Sequence, residues 1–595
     1  MAVACTECRA QHLRCDFRKP TCSRCADARL ACIYLPSRRG GRRRPAALAT
    51  HRELSPKHPS APLEPAPQPS QAPKAPQGVP DARLVGLYYE NFHPAHPILI
   101  PFRLYESRNY PRYLHHVVTF IGSQYSAVLP KDSLLEATAL ELSTNVDRTP
   151  YMAQALLLYS IILSARNEHH QAQTSLARAT DIALELGMYQ KEFASAFSGN
   201  QEPEAESLRR TWWELFLVEV YTTALRPMPH LQLRCSQVPY DVLLPCEESS
   251  YTSHDTIPTP PSLDSFSMRL FTDEDDEDDE DRDVSPPRYS SYSYRIEAVR
   301  ILARVLVLNN IPETQTHPDH AQAVTNALVS WTNHLPPQKA ATGIIDMYGA
   351  IDEMLFQAHV TIHYAAMLLH LPRSNLTLRL ESPDSDSDRK TICPAIPSIR
   401  LPSSTRQVHD VMATEASKNL TNLLSMRPSA SASARAGHGY SPFTVSGLLL
   451  SGLVQLSTSE HHPPTCADHH YNRVILVLGV LKLLRHGWAF AREAHHQLRL
   501  AAAETVSITS SCRRSVTLAS AGAGPAGGRS NSTSRRSWTP RPVPAGGSSG
   551  LGDEALPANQ LTISSPAFLS EYVDPTCSDP LLFDRLSMWA GVDLE

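Results

Sequence analysis

Six of the chain's 12 cysteines fall within its first 32 residues, although the chain runs to 595. Cys5, Cys8, Cys15, Cys22, Cys25 and Cys32 read C-x2-C-x6-C-x6-C-x2-C-x6-C, one three-cysteine unit written twice across a short connection. A C-x2-C pair lets two thiolates grip one ion from a single turn, and the third cysteine lies one short helix further on. Tetrahedral zinc takes four such ligands. Two zinc ions together take eight, and six cysteines supply eight only when two of them bridge. The doubled unit therefore predicts a paired zinc cluster; a disulfide knot and one zinc with two spare thiols are the alternatives.

The residues between the cysteines carry the next layer of chemistry. The spacing predicts a short helix over Arg9, Gln11, His12 and Arg14, pinned at both ends by metal ligands. Residues 1–45 hold eleven Lys and Arg against three acids, a charge of +8, which leaves the other 550 residues at −13. A basic head on an acidic body points to a polyanion partner for the head. Arg9, Arg14, Arg18 and Lys19 suit phosphates, contacts that position a protein on a duplex without reading sequence. The head has almost no apolar core, so zinc must supply its folding energy.

The stretch "ACTECRAQHLRCDFRKPTCSRCADARLACIY" resembles the fungal zinc binuclear cluster (Zn2Cys6) DNA-binding domain. The likeness covers the six cysteines, the Arg after the second, the "CD" at the third, Pro20 in the connection and Tyr34 two residues past the last. It implies two zinc ions, with Cys5 and Cys22 bridging them. It also implies two short helices, the first of which enters the DNA major groove to read a CGG-like triplet. The base-reading positions then fall on Gln11 and His12. Family members usually carry Arg or Lys at the first of these, so Gln11 departs from the pattern and the preferred triplet is open. Gln pairs with adenine or donates to guanine, and His donates to guanine N7 or O6.

After Tyr34 come "SRRGGRRRP" and a Pro-, Ser- and Ala-rich run to about residue 80. Arg38, Arg39, Arg42, Arg43 and Arg44 form a basic patch fit for nuclear import or for clamping the DNA backbone. Gly40 and Gly41 break any helix, and no apolar heptad follows. Many family members dimerise through a coiled coil here; this sequence predicts monomeric binding or a homodimer made elsewhere.

From residue 81 to about 500 the pattern is helical. Helices are predicted at 152–167, 172–189, 207–225, 294–308, 324–336, 352–374 and 473–491, with no recurring strand-like alternation. The segment 207–225 is apolar or aromatic all round, as a buried helix is. The motifs "YYENFHPAHPIL", "RRTWWELF", "LPCEE" and "LHLPRSNL" resemble, in order and spacing, the fungal-specific transcription factor domain, or middle homology region. That likeness implies a regulatory all-α domain in which Arg209, Arg210, Trp212 and Trp213 belong to the core. The fold class predicted is thus a small zinc-cluster domain joined by disordered linkers to a large all-α regulatory domain.

Enzyme chemistry finds little support. His359 and His363 stand four apart on one predicted helix, a zinc-compatible pair, but no HExxH motif or third ligand accompanies them. "HHPPTCADHH" (461–470) reads as a polar loop between helices. No nucleophile elbow, P-loop or dinucleotide fingerprint occurs. The longest apolar runs fall short of the roughly 18–20 residues that span a bilayer. With no secretory signal pattern either, the sequence predicts a soluble intracellular chain without membrane partners.

Three segments read as irregular. "DEDDEDDEDRD" (273–283), within an acidic loop of about 272–290, predicts a solvated insertion; an activation surface and an acidic mimic of DNA are alternatives. Residues 501–560 are Ser/Gly/Arg/Pro-rich and predict disorder. The tail, 561–595, mixes Phe568, Tyr572, Leu581, Leu582, Phe583 and Trp589 with six acids. That composition suits either an activation segment that folds on a coactivator or a terminal helix docked on the body. Taken together, the residues and the likeness predict a nuclear, sequence-specific transcription regulator dedicated to a secondary-metabolite gene cluster or to nutrient catabolism. The alternative is a zinc-bearing interaction protein that never reads DNA.

Overall fold

Every named element among the described residues is a helix; the sole extended pairing is an isolated bridge between Ile345 and Ile351. The computed structural model describes residues 8, 15–19, 21–28, 30 and 32 of the head. In the body it describes 81–521 apart from 226–230, 232, 254–256, 272–288, 313–316, 379–398, 400, 428–438 and 462–463. The chain divides into two units, Met1–Gln77 and Gly78–Glu595. The basic patch 38–44, the Pro-rich linker, the acidic run 273–283 and the tail 561–595 lie outside the described residues.

The head contributes one described helix of several residues, α1 (Ser23–Asp27). The body opens with α2 (Asp81–Asn91), α3 (Phe102–Arg108), α4 (Arg112–Ser123) and α5 (Leu135–Thr144). It continues with α6 (Pro150–Ala165), α7 (His169–Glu185), α8 (Lys191–Ser198), α9 (Glu202–Leu225), α10 (Glu248–Thr252) and α11 (Leu263–Met268). The later helices are α12 (Ser291–Asn310), α13 (Pro318–Asn333), α14 (Glu353–His370) and α15 (Ser403–Met426). The last three are α16 (Thr444–His461), α17 (Pro464–Leu484) and α18 (Ala489–Ala521).

Local chemistry explains the principal helices. The Thr149 hydroxyl accepts from the Met152 N–H at 3.3 Å and Pro150 takes the first position of α6, where its missing N–H costs nothing. Every residue of α6 except Tyr151 is buried, which its all-round apolar sequence requires. Ser290 caps α12 through the Ser293 N–H and Asp352 caps α14 through the Leu355 N–H. The pairs α6/α7, α12/α14, α14/α15 and α16/α17 pack against each other. One continuous apolar core then runs from Val85 to Ala501.

Close approach fixes one glycine. A Cβ added at Gly122 on α4 would lie 1.9 Å from the Leu84 carbonyl oxygen of α2, so the two backbones meet there. Gly122→Ala should push them apart and destabilise the body by roughly 1–3 kcal/mol. The check is a lowered denaturation midpoint with zinc content unchanged.

Three soft sequence motifs converge on a buried polar network. Arg210 donates to Glu206 Oε1 at 2.8 Å, to the Cys246 carbonyl at 3.1 Å and to Glu248, with its guanidinium 4.0 Å from the Tyr251 ring centre. Arg209 pairs with Glu206 at 3.1 Å. Glu214 receives Arg295, the Tyr292 hydroxyl at 2.6 Å and His96 Nδ1 at 3.1 Å. Arg295, Glu214 and His96 have no exposure. Trp212 and Trp213 are fully buried, and the Trp213 indole donates to the Leu243 carbonyl at 3.1 Å. Further along, Arg373 donates to Asn309 Oδ1 at 2.9 Å, tying the "LHLPRSNL" turn to α12. These charges tie the core helices and loops to one another.

Three sequence expectations are corrected. The helix predicted at 473–491 is two, because α17 stops at Leu484 and α18 starts at Ala489. Gly487 sits in the break, and the Lys131 ammonium caps the His486 and Gly487 carbonyls at 2.9 Å each. "HHPPTCADHH" is helical from Pro464, and His470 Nδ1 bonds Gln455 Oε1 at 2.7 Å. Finally, α18 passes residue 500 and runs to Ala521, since no Gly or Pro interrupts it before Gly522. His359 and His363 gather no third metal-binding side chain among the described residues. His359 Nε2 bonds the Lys339 carbonyl at 3.0 Å, and its ring stands edge-on to Trp331.

Candidate zinc and nucleic-acid site

The head's only described core is sulfur. Cys8, Cys15, Cys22 and Cys25 are buried and Cys32 packs against them. Two groups of three thiols form, Cys8–Cys15–Cys22 and Cys22–Cys25–Cys32, and within each the sulfur atoms lie within 4.8 Å of one another. Cys22 belongs to both. Cys8 Sγ and Cys22 Sγ are 3.8 Å apart. Two sulfurs on one tetrahedral zinc, each with Zn–S about 2.3 Å, stand about 3.8 Å apart, so the spacing fits a shared ion. It is far beyond the roughly 2 Å of a disulfide, and no disulfide joins the described cysteines.

The donor chemistry fits zinc as well. Each group offers only soft thiolates, with no carboxylate or imidazole among them. Backbone N–H groups support the sulfurs, from Cys22 to Cys32 Sγ at 3.3 Å and from Cys25 to Cys22 Sγ at 3.4 Å. The second of these is also the N-cap of α1, because Cys22 holds extended backbone (φ −68°, ψ 152°) and its sulfur accepts from N3. One residue thus starts the helix and sits at the meeting point of both sulfur groups.

Of the other residues expected at the site, Arg18 and Lys19 are exposed. Arg18 Nε lies 3.6 Å from Asp16 Oδ2. Arg24, in the last turn of α1, adds a further exposed cation. Cys5, Arg9, Gln11, His12 and Arg14 lie outside the described residues. Sequence reasoning missed the part played by Asp16. Its carboxylate accepts from the Ser23 N–H and hydroxyl, and the hydroxyl bond in particular holds its pKa below the usual carboxylate value. The signals were the "CD" pair and a serine directly after the fourth cysteine.

Residues 3–41 match the fungal Zn(2)-Cys(6) binuclear cluster domain, and residues 85–333 match the fungal specific transcription factor domain. Helices α14 to α18 lie beyond the second match yet share its core. The chain is similar to the C6 finger domain transcription factor iacK of Pestalotiopsis fici, 28% identical over 444 residues. The aligned part is 63% of this chain, and it spans 63% of that relative's length. No solved structure matches the chain. No described helix is long and apolar enough to cross a membrane. The chain thus carries, in this order, a fungal Zn(2)-Cys(6) binuclear cluster domain and a fungal specific transcription factor domain.

Proposed function

We propose that this protein is a nuclear, sequence-specific DNA-binding regulator of RNA polymerase II transcription, dedicated to one biosynthetic or catabolic pathway. The observation that carries the reading is the double membership of Cys22 in two thiol triplets. That arrangement suits a two-ion cluster in which Cys22, and Cys5 by the same logic, bridge. Cys8, Cys15, Cys25 and Cys32 complete the ligand set. Zinc, when bound, supplies the folding energy that a head built on five described sulfurs lacks.

The chain's own residues then divide the work. Arg9, Arg14, Arg18 and Lys19 meet phosphates, and the arginines at 38, 39, 42, 43 and 44 add backbone contacts or direct nuclear import. Gln11 and His12 face base edges of CGG-like half-sites in the major groove. The helical body regulates, carries no catalytic role, and is the surface through which any homodimer forms without a coiled coil. The acidic-aromatic tail meets coactivators.

Two results check this. The logarithm of the full-length protein's affinity for duplex DNA should fall linearly with log salt, with a slope of roughly 0.9 per phosphate contact. Arg18→Ala and Lys19→Ala should weaken binding to all duplexes alike and flatten that slope, whereas Gln11→Ala or His12→Ala should change the preferred base. Variants at Gln11 and His12 that keep the wild-type preference would remove both from the reading surface.

A further inference from the structure

The two three-cysteine units meet across residues 16–21, whose described residues, 16–19 and 21, hold no regular structure. One side chain closes it. Asp16 directly follows Cys15, the last cysteine of the first unit, and Ser23 opens α1 of the second. Asp16 Oδ1 and Oδ2 accept from the Ser23 N–H at 3.2 and 3.3 Å, and Oδ2 accepts from the Ser23 hydroxyl at 2.5 Å. The chain turns sharply straight after Asp16, with Phe17 in the left-handed region (φ 60°), which aims the connection away while the carboxylate stays on α1. Bonds to an ionised carboxylate are shorter and stronger than neutral ones, and here two donors of one residue converge on it.

We infer that Asp16 is a positioning residue, which sets the orientation of the first unit, and of Gln11 and His12 just before Cys15, relative to the second. The inference rests on the DNA-reading function proposed above. The shared thiol Cys22, with metal when bound, would join the two units; the Asp16–Ser23 tie is a second attachment, and two attachments fix an angle that one leaves free. Recognition groups need placement within roughly 0.5 Å and 10–20°. A tie of this kind therefore acts on base discrimination rather than on holding zinc.

The sign of the effect separates this role from a bland one. Asp16 is an exposed acid among cations, and as mere surface charge its removal would strengthen binding to every duplex. As a positioning residue, its removal lowers the ratio of affinity for the preferred site over a random duplex. The test uses the full-length protein with zinc, comparing wild type with Asp16→Ala, Asp16→Asn and Ser23→Ala. Zinc content, affinity for the selected site, affinity for a random duplex and the exchange rate of the Ser23 amide are measured. Asp16→Ala should keep its zinc, speed Ser23 amide exchange and reduce the ratio roughly tenfold, the cost of about one misread base pair. Ser23→Ala and Asp16→Asn should fall between. An unchanged ratio in Asp16→Ala, or loss of zinc from it, overturns the inference. A wild type with no preferred site instead defeats the DNA-reading function, and unchanged Ser23 exchange in Asp16→Ala then overturns the tie independently of DNA.

Discussion

Replacing Cys22 by serine should strip both zinc ions from the head and abolish DNA binding while the helical body stays folded. Cys22 is the sulfur common to both thiol groups, so its loss leaves each a ligand short. Cys32→Ser touches one group only and should cost less zinc. Structural zinc contributes roughly 10–16 kcal/mol of folding free energy in small modules, far more than any other interaction in this head. A drop in DNA affinity beyond a thousandfold is expected, together with unchanged helical circular dichroism. Cys235→Ser serves as control: Cys235 is buried in the body beside the Glu219 carboxylate, and its loss should leave zinc content alone. Zinc bound at wild-type level by Cys22→Ser would contradict the shared-ligand arrangement.

The body's largest response should come from Arg295→Ala. This change leaves the Glu214 carboxylate buried with the Tyr292 hydroxyl and His96 as its partners. Stranding a buried charge costs about 3–5 kcal/mol, whereas removing both charges with Arg295→Met and Glu214→Gln should cost less. Burial alone would raise the Glu214 pKa, but Arg295 and then His96 overcome it and hold the carboxyl at about 2, below its ordinary 4.5. A depressed carboxyl contributes stability that is fully present above about pH 4.5 and is lost as pH falls towards 2. The contribution is on the order of 3 kcal/mol. Wild type should therefore lose stability across that window, and the double variant should lose less of it. Equal acid sensitivity in the two proteins would show that other carboxylates govern the transition.

The cysteine cluster was legible because its information is local: a three-cysteine unit written twice, at spacings of two and six residues, marks a metal-binding head. The buried helices were equally legible, since all-round apolar stretches such as 207–225 have no other place to go. What the sequence hid depends on partners far apart in the chain. The break between α17 and α18 is stabilised by Lys131, more than 350 residues upstream. The motifs "YYENFHPAHPIL", "RRTWWELF" and "LPCEE" read as separate likenesses, yet His96, Glu214, Arg210 and Glu248 place them in one network. Residues 501–521 read as irregular as part of the Ser-, Gly-, Arg-, Ala- and Pro-rich run to 560, although α18 extends through them to Ala521. Asp16 and Ser23 are seven residues apart, close enough to see, but nothing in a composition or a period marks two polar residues as a pair.

The central claim is that a zinc-loaded head reads DNA. Selection from a random duplex pool by the full-length protein, run with zinc and again after chelation, tests it most directly. The account predicts two zinc ions per chain and enrichment of a CGG-like half-site that vanishes when zinc is removed. Two bound zinc ions with no enriched sequence would contradict it and leave a zinc-stabilised interaction module in its place.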